Sequence, residues 1–214
     1  MQTPALALAI FGQAALCYLG FQKPRYFWPL MTLGLGAVGL PGLGRLRSRP
    51  QPASLGWMVV GGLAGGLGYG ITAAGALVAR RLSLGRRSLD RLRECTGGAP
   101  PQLAALLVVP AAVGEEIFWR ESFLGHQLRE RPQPEGSALL RSTLVYGLVQ
   151  MASLQPLPPL GAVLLGSGTG WLRIRSGSVW PAVLAHLVYA ELCLVVPGLP
   201  ASGSPPTRSP NSTT

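Results

Sequence analysis

The sequence predicts an all-α fold: a polytopic bundle of about six or seven transmembrane helices. Of its 214 residues, 48% are hydrophobic and only 12% are charged, whereas a typical soluble domain is about 25% charged. Mean hydropathy is positive, at +0.35. Long apolar runs alternate with short arginine-rich stretches, which is typical of a multi-pass membrane protein. A soluble protein with unusually apolar helices is the alternative.

Seven apolar runs are long enough, or nearly so, to cross a bilayer, which takes about 20 residues. They lie at residues 4–22, 27–44, 54–79, 100–119, 138–155, 159–173 and 177–197. No basic residue precedes the first run, which we interpret as a membrane helix rather than a cleaved signal peptide. The sixth run is short and glycine-rich and could be re-entrant, so six helices remain an alternative to seven.

The third run repeats glycines four residues apart, as in Gly61 with Gly65, Gly62 with Gly66 and Gly66 with Gly70. Small residues at this spacing let helix backbones approach closely in lipid. The close approach can serve packing inside the bundle or a homodimer through this helix, and the sequence leaves both open.

The runs predict a single membrane-embedded domain over residues 1–200, with its most diagnostic part at about 100–195. Residues 201–214 form a polar tail rich in proline and serine. Such a composition buries too little apolar surface to fold, so the tail is predicted to be disordered.

The basic residues point to membrane lipid as a partner and not to nucleic acid. Net charge is +10, and 17 of the 18 basic residues are arginine. The densest group is predicted to be a cytoplasmic loop facing anionic lipid. It comprises Arg80, Arg81, Arg86, Arg87, Arg91 and Arg93. The excess of arginine over lysine is typical of a GC-rich genome, which favours a prokaryotic cell membrane.

The nonapeptide GEEIFWRES, at residues 114–122, places scarce carboxylates at the end of an apolar run. A carboxylate at mid-membrane costs about 2.5–3.5 kcal/mol on insertion scales. Glu116 and Arg120 are four residues apart and can pair on one helix face. Glu115 points about 100° away from Glu116 and remains available as a general base. Alternatively, these residues cap the helix at the interface, with Arg120 reaching the lipid headgroups.

Two further polar residues lie inside apolar runs: Gln150 in the fifth and His186 in the seventh. Each can be a hydrogen-bonded structural residue or part of a site. Catalytic zinc takes three protein ligands, and the sequence contains no HExxH, GxSxG, Walker or Rossmann motif. We therefore expect neither a metal nor a cofactor.

The order of these residues resembles the CPBP intramembrane proteases, a family that includes the Rce1-type CaaX prenyl endopeptidases and the bacterial Abi type. EEIFWR matches the family motif EExxxR, at Glu115 to Arg120. STLVYGLVQMASL stands in the place of FxxxH, and GSVWPAVLAHLVYA is similar to the HxxxN helix with its WP lead-in. The resemblance covers roughly residues 100–195 and implies a glutamate-dependent intramembrane endopeptidase acting on a membrane-associated protein or peptide.

The resemblance also implies a role for each site residue. Glu115 matches the water-activating glutamate, and Glu116 and Arg120 support and orient it. His186 would stabilise the carbonyl oxygen that becomes negative in the transition state. Gln150 occupies the place of the histidine that positions the water.

Four positions differ from the family pattern: Tyr146, Gln150, Ala190 and Glu121. A glutamine can hold a water but cannot take its proton, and alanine offers the oxyanion no donor. Losing one such donor costs about 10²–10³-fold in rate. The sequence therefore leaves three functions open: a slow or divergent protease, a non-catalytic scaffold or substrate-binding member, and a small transporter.

Overall fold

The computed structural model describes residues 3–48, 51–130 and 133–195, which form eight helices and contain no strand. This confirms the all-α prediction. The first four helices are α1 (Thr3–Gln22), α2 (Pro24–Ser48, with a 3₁₀ turn at Pro24–Tyr26 and a π-helical turn at Leu30–Leu35), α3 (Leu55–Ala79) and α4 (Ser83–Thr96). The last four are α5 (Pro101–Glu116, continuing as a π-helix at Ile117–Leu124 and an α-helix at Gly125–Glu130), α6 (Glu135–Gln150, then a 3₁₀ turn at Met151–Ser153), α7 (Leu157–Ser176) and α8 (Trp180–Val195). The predicted tail lies outside the described residues.

Local sequence signals account for several of the helix ends. The Ser54 hydroxyl accepts a hydrogen bond from the Trp57 amide at 3.4 Å and caps α3. Prolines occupy the first turn of α5 and of α7, where a missing amide N–H costs nothing. At its other end α7 stops at Gly177, whose φ of 68° is a conformation that glycine adopts without a Cβ penalty.

Four helices are long and apolar enough to cross a membrane: Pro4–Gln22, Pro24–Ser48, Leu55–Ala79 and Pro101–Arg129. A shorter apolar helix spans Trp180–Leu194. The span at Pro101–Arg129 is 50% buried, against 17–22% for the other three. Helix α5 is therefore the central helix of the bundle, and it carries the EExxxR motif.

One prediction about the segments is wrong in detail. The arginine-rich stretch at 80–93 is largely helical, because α4 buries one face made of Gly85, Ser88, Leu89 and Cys95 while Arg86 and Arg87 stay exposed. The sixth run lies within α7, a continuous helix of 20 residues that is not among the long apolar helices described above, so six membrane helices remain an alternative to seven.

Glycines bring neighbouring helices into close contact at two crossings. On α3, a Cβ at Gly61 would clash with the backbone of Pro181 in α8, and one at Gly65 would lie 2.9 Å from the Val188 Cβ. These two glycines thus serve packing inside the bundle. Gly62, Gly66 and Gly70 would meet nothing within 4 Å, so the homodimer stays a prediction for that outward face.

A second crossing joins α2 to α5 beside the motif. A Cβ at Gly114 would lie 2.7 Å from the Gly36 Cα, and one at Gly39 would lie 2.7 Å from the Gly114 Cα. The backbones can approach this closely only because both sides lack side chains. The crossing fixes α5 immediately before Glu115.

Candidate functional site

Glu116 is the centre of a buried ionic network. Its side chain is fully buried, and each carboxylate oxygen has its own partner. Arg120 Nε donates to Glu116 Oε2 at 3.0 Å, and His186 Nδ1 lies 2.9 Å from Glu116 Oε1. The ion pair expected from the four-residue spacing is therefore present within α5, and the His186 contact joins α5 to α8.

Arg120 extends this network to two more helices. Its Nε also donates to Thr169 Oγ1 in α7 at 2.8 Å, and its Nη1 lies 3.5 Å from Ser142 Oγ in α6. The guanidinium carbon lies 5.6 Å from the centre of the Tyr146 ring, within cation–π range. One arginine thus fixes four helices around the carboxylates, which argues against the interfacial-cap alternative because Arg120 is 0% exposed.

Glu115 is held on one side only. It is 6% exposed, and its Oε2 accepts a hydrogen bond from the Tyr146 hydroxyl at 3.4 Å. Its other oxygen, Oε1, is buried and has no hydrogen-bond partner among the described residues. Glu115 and His186 interact electrostatically. A buried carboxylate oxygen without a donor is rare in a native fold, and such groups mark functional positions.

The backbone changes character at this point of α5. The helix is α-helical up to Glu116 and π-helical over Ile117–Leu124. π-Helical turns are rare and occur frequently at functional sites. Every residue of this turn is buried, so the turn sets the direction of Arg120 within the core.

Gln150 makes a different contact from the one its motif position implies. Its Oε1 lies 3.2 Å from the Cys17 Sγ of α1, and among the described contacts no hydrogen bond joins it to Glu115. Ala190 lies one turn past His186 and brings no polar side-chain atom. The structure thus brings Glu115, Glu116, Arg120 and His186 together, with Gln150 at the edge of the group.

Three contacting residues were not predicted from the sequence: Tyr146, Thr169 and Ser142. Tyr146 carried a signal, because its hydroxyl distinguishes it from the phenylalanine of the family motif. Thr169 and Ser142 carried none, since neutral hydroxyl residues occur throughout membrane helices and only tertiary packing shows which ones face an arginine.

A second buried ionic group lies further along α5. Glu121 is 3% exposed and pairs with Arg173 at 2.9 Å and with Arg129 at 3.2 Å. Gln51 Nε2 donates to the same carboxylate at 2.7 Å. Both oxygens of the Glu121 carboxylate therefore accept hydrogen bonds from side chains of the protein, and this group ties α5 to α7 and to the segment before α3.

An apolar cavity of about 230 Å³ lies between α3, α7 and α8. Its lining includes Thr169, which accepts from Arg120, and Ala185, which precedes His186. Leu67 and Ile71 also line it and are 66% and 48% exposed on the outer surface of the bundle. The cavity thus lies between the outer surface and the buried network.

The site is built from side-chain acids and bases. Within the described residues no group of three or more His, Cys, Asp or Glu could hold a metal ion. Glu116 and Arg120 carry opposite charges and balance each other, as do an ionised Glu115 and a protonated His186. Such an arrangement can exchange a proton between Glu115 and a bound molecule while the Glu116 pair keeps its geometry.

Comparison with known proteins identifies the family. Residues 98–190 match the family described as type II CAAX prenyl endopeptidase Rce1-like. No curated protein and no solved structure shows significant similarity to the chain. The matched region contains Glu115, Glu116, Arg120, Gln150 and His186, and the multi-pass character of the helices agrees with a membrane peptidase family. The match to the Rce1-like family over residues 98–190 thus confirms the family resemblance predicted from the motifs.

Proposed function

We propose that the chain is an intramembrane endopeptidase in which Glu115 activates the attacking water. The observation that carries the proposal is the contrast between the two adjacent glutamates. Both oxygens of Glu116 have hydrogen-bond partners, whereas Oε1 of Glu115 is buried and has no partner among the residues that the structure describes. A general base has to be within hydrogen-bond reach of the proton that it removes, and of these two glutamates it is Glu115 that has an oxygen available for that purpose.

In the proposed reaction, Glu115 takes a proton from water as the water oxygen bonds to the scissile carbonyl carbon. The carbonyl π electrons move to oxygen and give a tetrahedral oxyanion. When the C–N bond breaks, the protonated Glu115 returns the proton to the leaving nitrogen. The products are a carboxylic acid and an amine, and Glu115 is regenerated.

His186 is suited to stabilise the oxyanion. Its Nδ1 faces Glu116 at 2.9 Å, which leaves Nε2 on the far side of the ring. The Glu116 carboxylate supports the imidazolium form, in which Nε2 also donates. A fixed donor in a site that excludes water is worth far more than the same donor in solvent.

The cavity between α3, α7 and α8 supports a membrane-associated substrate. An apolar segment could enter from the outer face at Leu67 and Ile71 and bring its polar peptide bond to the Thr169 and Ala185 end, next to the network. A membrane-anchored protein or peptide fits this route, and the arginine-rich composition supports a prokaryotic cell membrane as its location.

The test compares peptide termini in the membrane proteome of cells that express wild-type protein with those expressing Glu115→Gln. Glu94→Gln is the matched control, because it makes the same change on the exposed face of α4. We expect termini that occur with wild type and the control and are lost with Glu115→Gln. Identical profiles for all three proteins, at equal membrane insertion, would contradict the proposal.

A second candidate function is a non-catalytic, substrate-binding member of the family. It is favoured by one observation: the Gln150 oxygen is taken by Cys17, and Ala190 offers no donor. This function predicts that Glu115→Gln changes no termini and still co-purifies with the same membrane protein as the wild type.

A further inference from the structure

Gln13 is a buried amide in the middle of α1 that no motif includes. It is 1% exposed, and neither its Oε1 nor its Nε2 has a hydrogen-bond partner among the described residues. The cost of burying an unpaired amide is high in an apolar environment. Polar residues inside membrane helices are usually retained for function. We therefore expect the Gln13 amide to form hydrogen bonds with a bound molecule.

The position of Gln13 follows from its neighbours on α1. Leu6, Gln13 and Cys17 are buried and spaced seven and four residues apart, so they share one helix face. Leu6 packs in a cluster with Trp119 and Tyr146, and Cys17 contacts Gln150. This face of α1 therefore lies against the last turns of α6.

The alignment of α1 with α6 places Gln13 at the same height in the bundle as the Glu115 carboxylate. Helix α1 is antiparallel to α2, α2 is parallel to α5, and α5 is antiparallel to α6, so α1 and α6 run in the same direction. Cys17, near the end of α1, donates a hydrogen bond to Gln150 at the end of α6. One turn earlier on each helix are Gln13 and Tyr146, whose hydroxyl bonds Glu115. Cys17 itself lies within electrostatic range of Glu115. The Gln13 amide and Glu115 Oε1, which both lack a hydrogen-bond partner among the described residues, thus belong to the same region.

We propose that Gln13 is a positioning residue that holds the attacking water together with Glu115; this inference rests on the proposed endopeptidase function. A water has two O–H groups. One donates to Glu115 Oε1, where it is removed in the reaction, and the other donates to the Gln13 carboxamide oxygen. The oxygen lone pair is then directed toward the substrate carbonyl. Gln150 is less suited to this role, because its own oxygen already accepts from Cys17.

The kinetic test uses Gln13→Met, which keeps the side-chain length and removes the hydrogen-bonding groups. We expect kcat to fall about 10- to 100-fold with KM within about twofold, since the water is misplaced and substrate binding is untouched. Gln13→Asn keeps a carboxamide and should retain more activity than Gln13→Met. Gln127→Met is the matched control, because Gln127 is another buried glutamine, beyond the π-helical turn of α5.

Thermal unfolding separates a positioning role from a structural one. Because the Gln13 amide has no hydrogen-bond partner among the described residues and would hold only a water, its removal should leave the melting temperature of Gln13→Met equal to or above that of wild type. If the melting temperature and the activity of Gln13→Met both fall, Gln13 acts through packing, and the inference is overturned. Unchanged kcat in Gln13→Met, with an active wild-type enzyme, would also overturn it.

A third measurement does not depend on proteolysis. A hydrophobic carbodiimide modifies neutral carboxyl groups in membranes, and mass spectrometry gives the modification rate at Glu115, with Glu115→Gln as the specificity control. Without the amide and its water, more of the Glu115 carboxyl is neutral, and we expect at least threefold faster labelling in Gln13→Met. Equal labelling in both proteins, including none in either, overturns the inference. Faster labelling with no cleavage by wild type would support the contact and reject the endopeptidase function.

Discussion

The hydroxyl of Tyr146 lies 3.4 Å from Oε2 of Glu115. The tyrosine stands where the related motif has phenylalanine, so this departure adds a donor directly beside the proposed base. Its ring also packs against Trp119, with centroids 5.0 Å apart, which fixes the direction of the hydroxyl. This departure from the family motif is therefore part of the site geometry.

Tyr146→Phe tests what this donor contributes. Hydrogen bonds to charged groups are worth about 1.5–3 kcal/mol, and a 3.4 Å contact lies at the weak end of that range. Since about 1.4 kcal/mol is a factor of ten, we expect kcat to fall about tenfold in a peptide-cleavage assay. Tyr69→Phe is the control, because that half-buried tyrosine lies on α3 outside the cavity lining. An equal effect of both substitutions would show that the tyrosines act through packing.

The pair formed by Glu116 and Arg120 is the second target. Both side chains are 0% exposed, and removal of one partner leaves an uncompensated charge in the core. We expect Glu116→Gln to lose about 3–5 kcal/mol of unfolding free energy. Glu94→Gln, whose ion pair with Arg91 is on the surface, should lose less than about 1 kcal/mol.

The coupling within this pair is measured by a double-mutant cycle. Glu116→Gln combined with Arg120→Met removes both charges, so its cost should be clearly less than the sum of the two single changes. Thermal unfolding of the four purified proteins in one detergent gives the comparison. Additive losses would mean that the two residues do not stabilise each other.

Much of the bundle and part of the site were predictable from the sequence. The seven apolar runs correspond to helices because each is a long stretch of apolar residues, and the Glu116–Arg120 contact follows from helical spacing alone. Helix α4 was not predicted, because its many arginines were interpreted as a loop although Leu89 and Cys95 belong to a buried helix face. The high density of charge in this stretch is easy to recognise in the sequence. The buried helix face is harder to recognise, because its residues recur only every three or four positions among the charged ones.

The missed contacts share a different physical cause. Thr169 and Gln13 are neutral residues whose surroundings depend on which helices meet, and spacing along one chain does not determine that. The close approach at Gly114 was missed because its partners, Gly36 and Gly39, lie on α2, about 75 residues earlier. The glycine repeat on α3 was recognised, but only the structure separates its packed face from its open one.

Gly114→Ala tests the crossing of α2 and α5. The added methyl would lie 2.7 Å from the Gly36 Cα and would clash with the Leu35 carbonyl oxygen, so the helices have to separate. We expect a loss of about 1–3 kcal/mol in unfolding free energy, and lower activity because Glu115 moves with α5. Gly62→Ala is the matched control, since a Cβ there meets nothing within 4 Å. A stable, fully active Gly114→Ala protein would show that α2 and α5 are farther apart at this crossing than the distances above indicate.

Gly168→Leu tests the cavity as the substrate entry route. Gly168 lines the cavity on α7, and a Cβ there meets nothing within 4 Å, so a larger side chain occupies the cavity without displacing the backbone. Because the network around Glu115 is untouched, we expect KM for a membrane-anchored peptide to rise about tenfold with kcat within about twofold. A short soluble peptide that does not use the cavity should show no such rise. Gly62→Leu makes the same change at an open position outside the cavity lining and should match wild type. If Gly168→Leu lowers kcat for both substrates and leaves KM unchanged, the side chain acts on the Arg120 and Thr169 contact instead, and the substrate enters by another path.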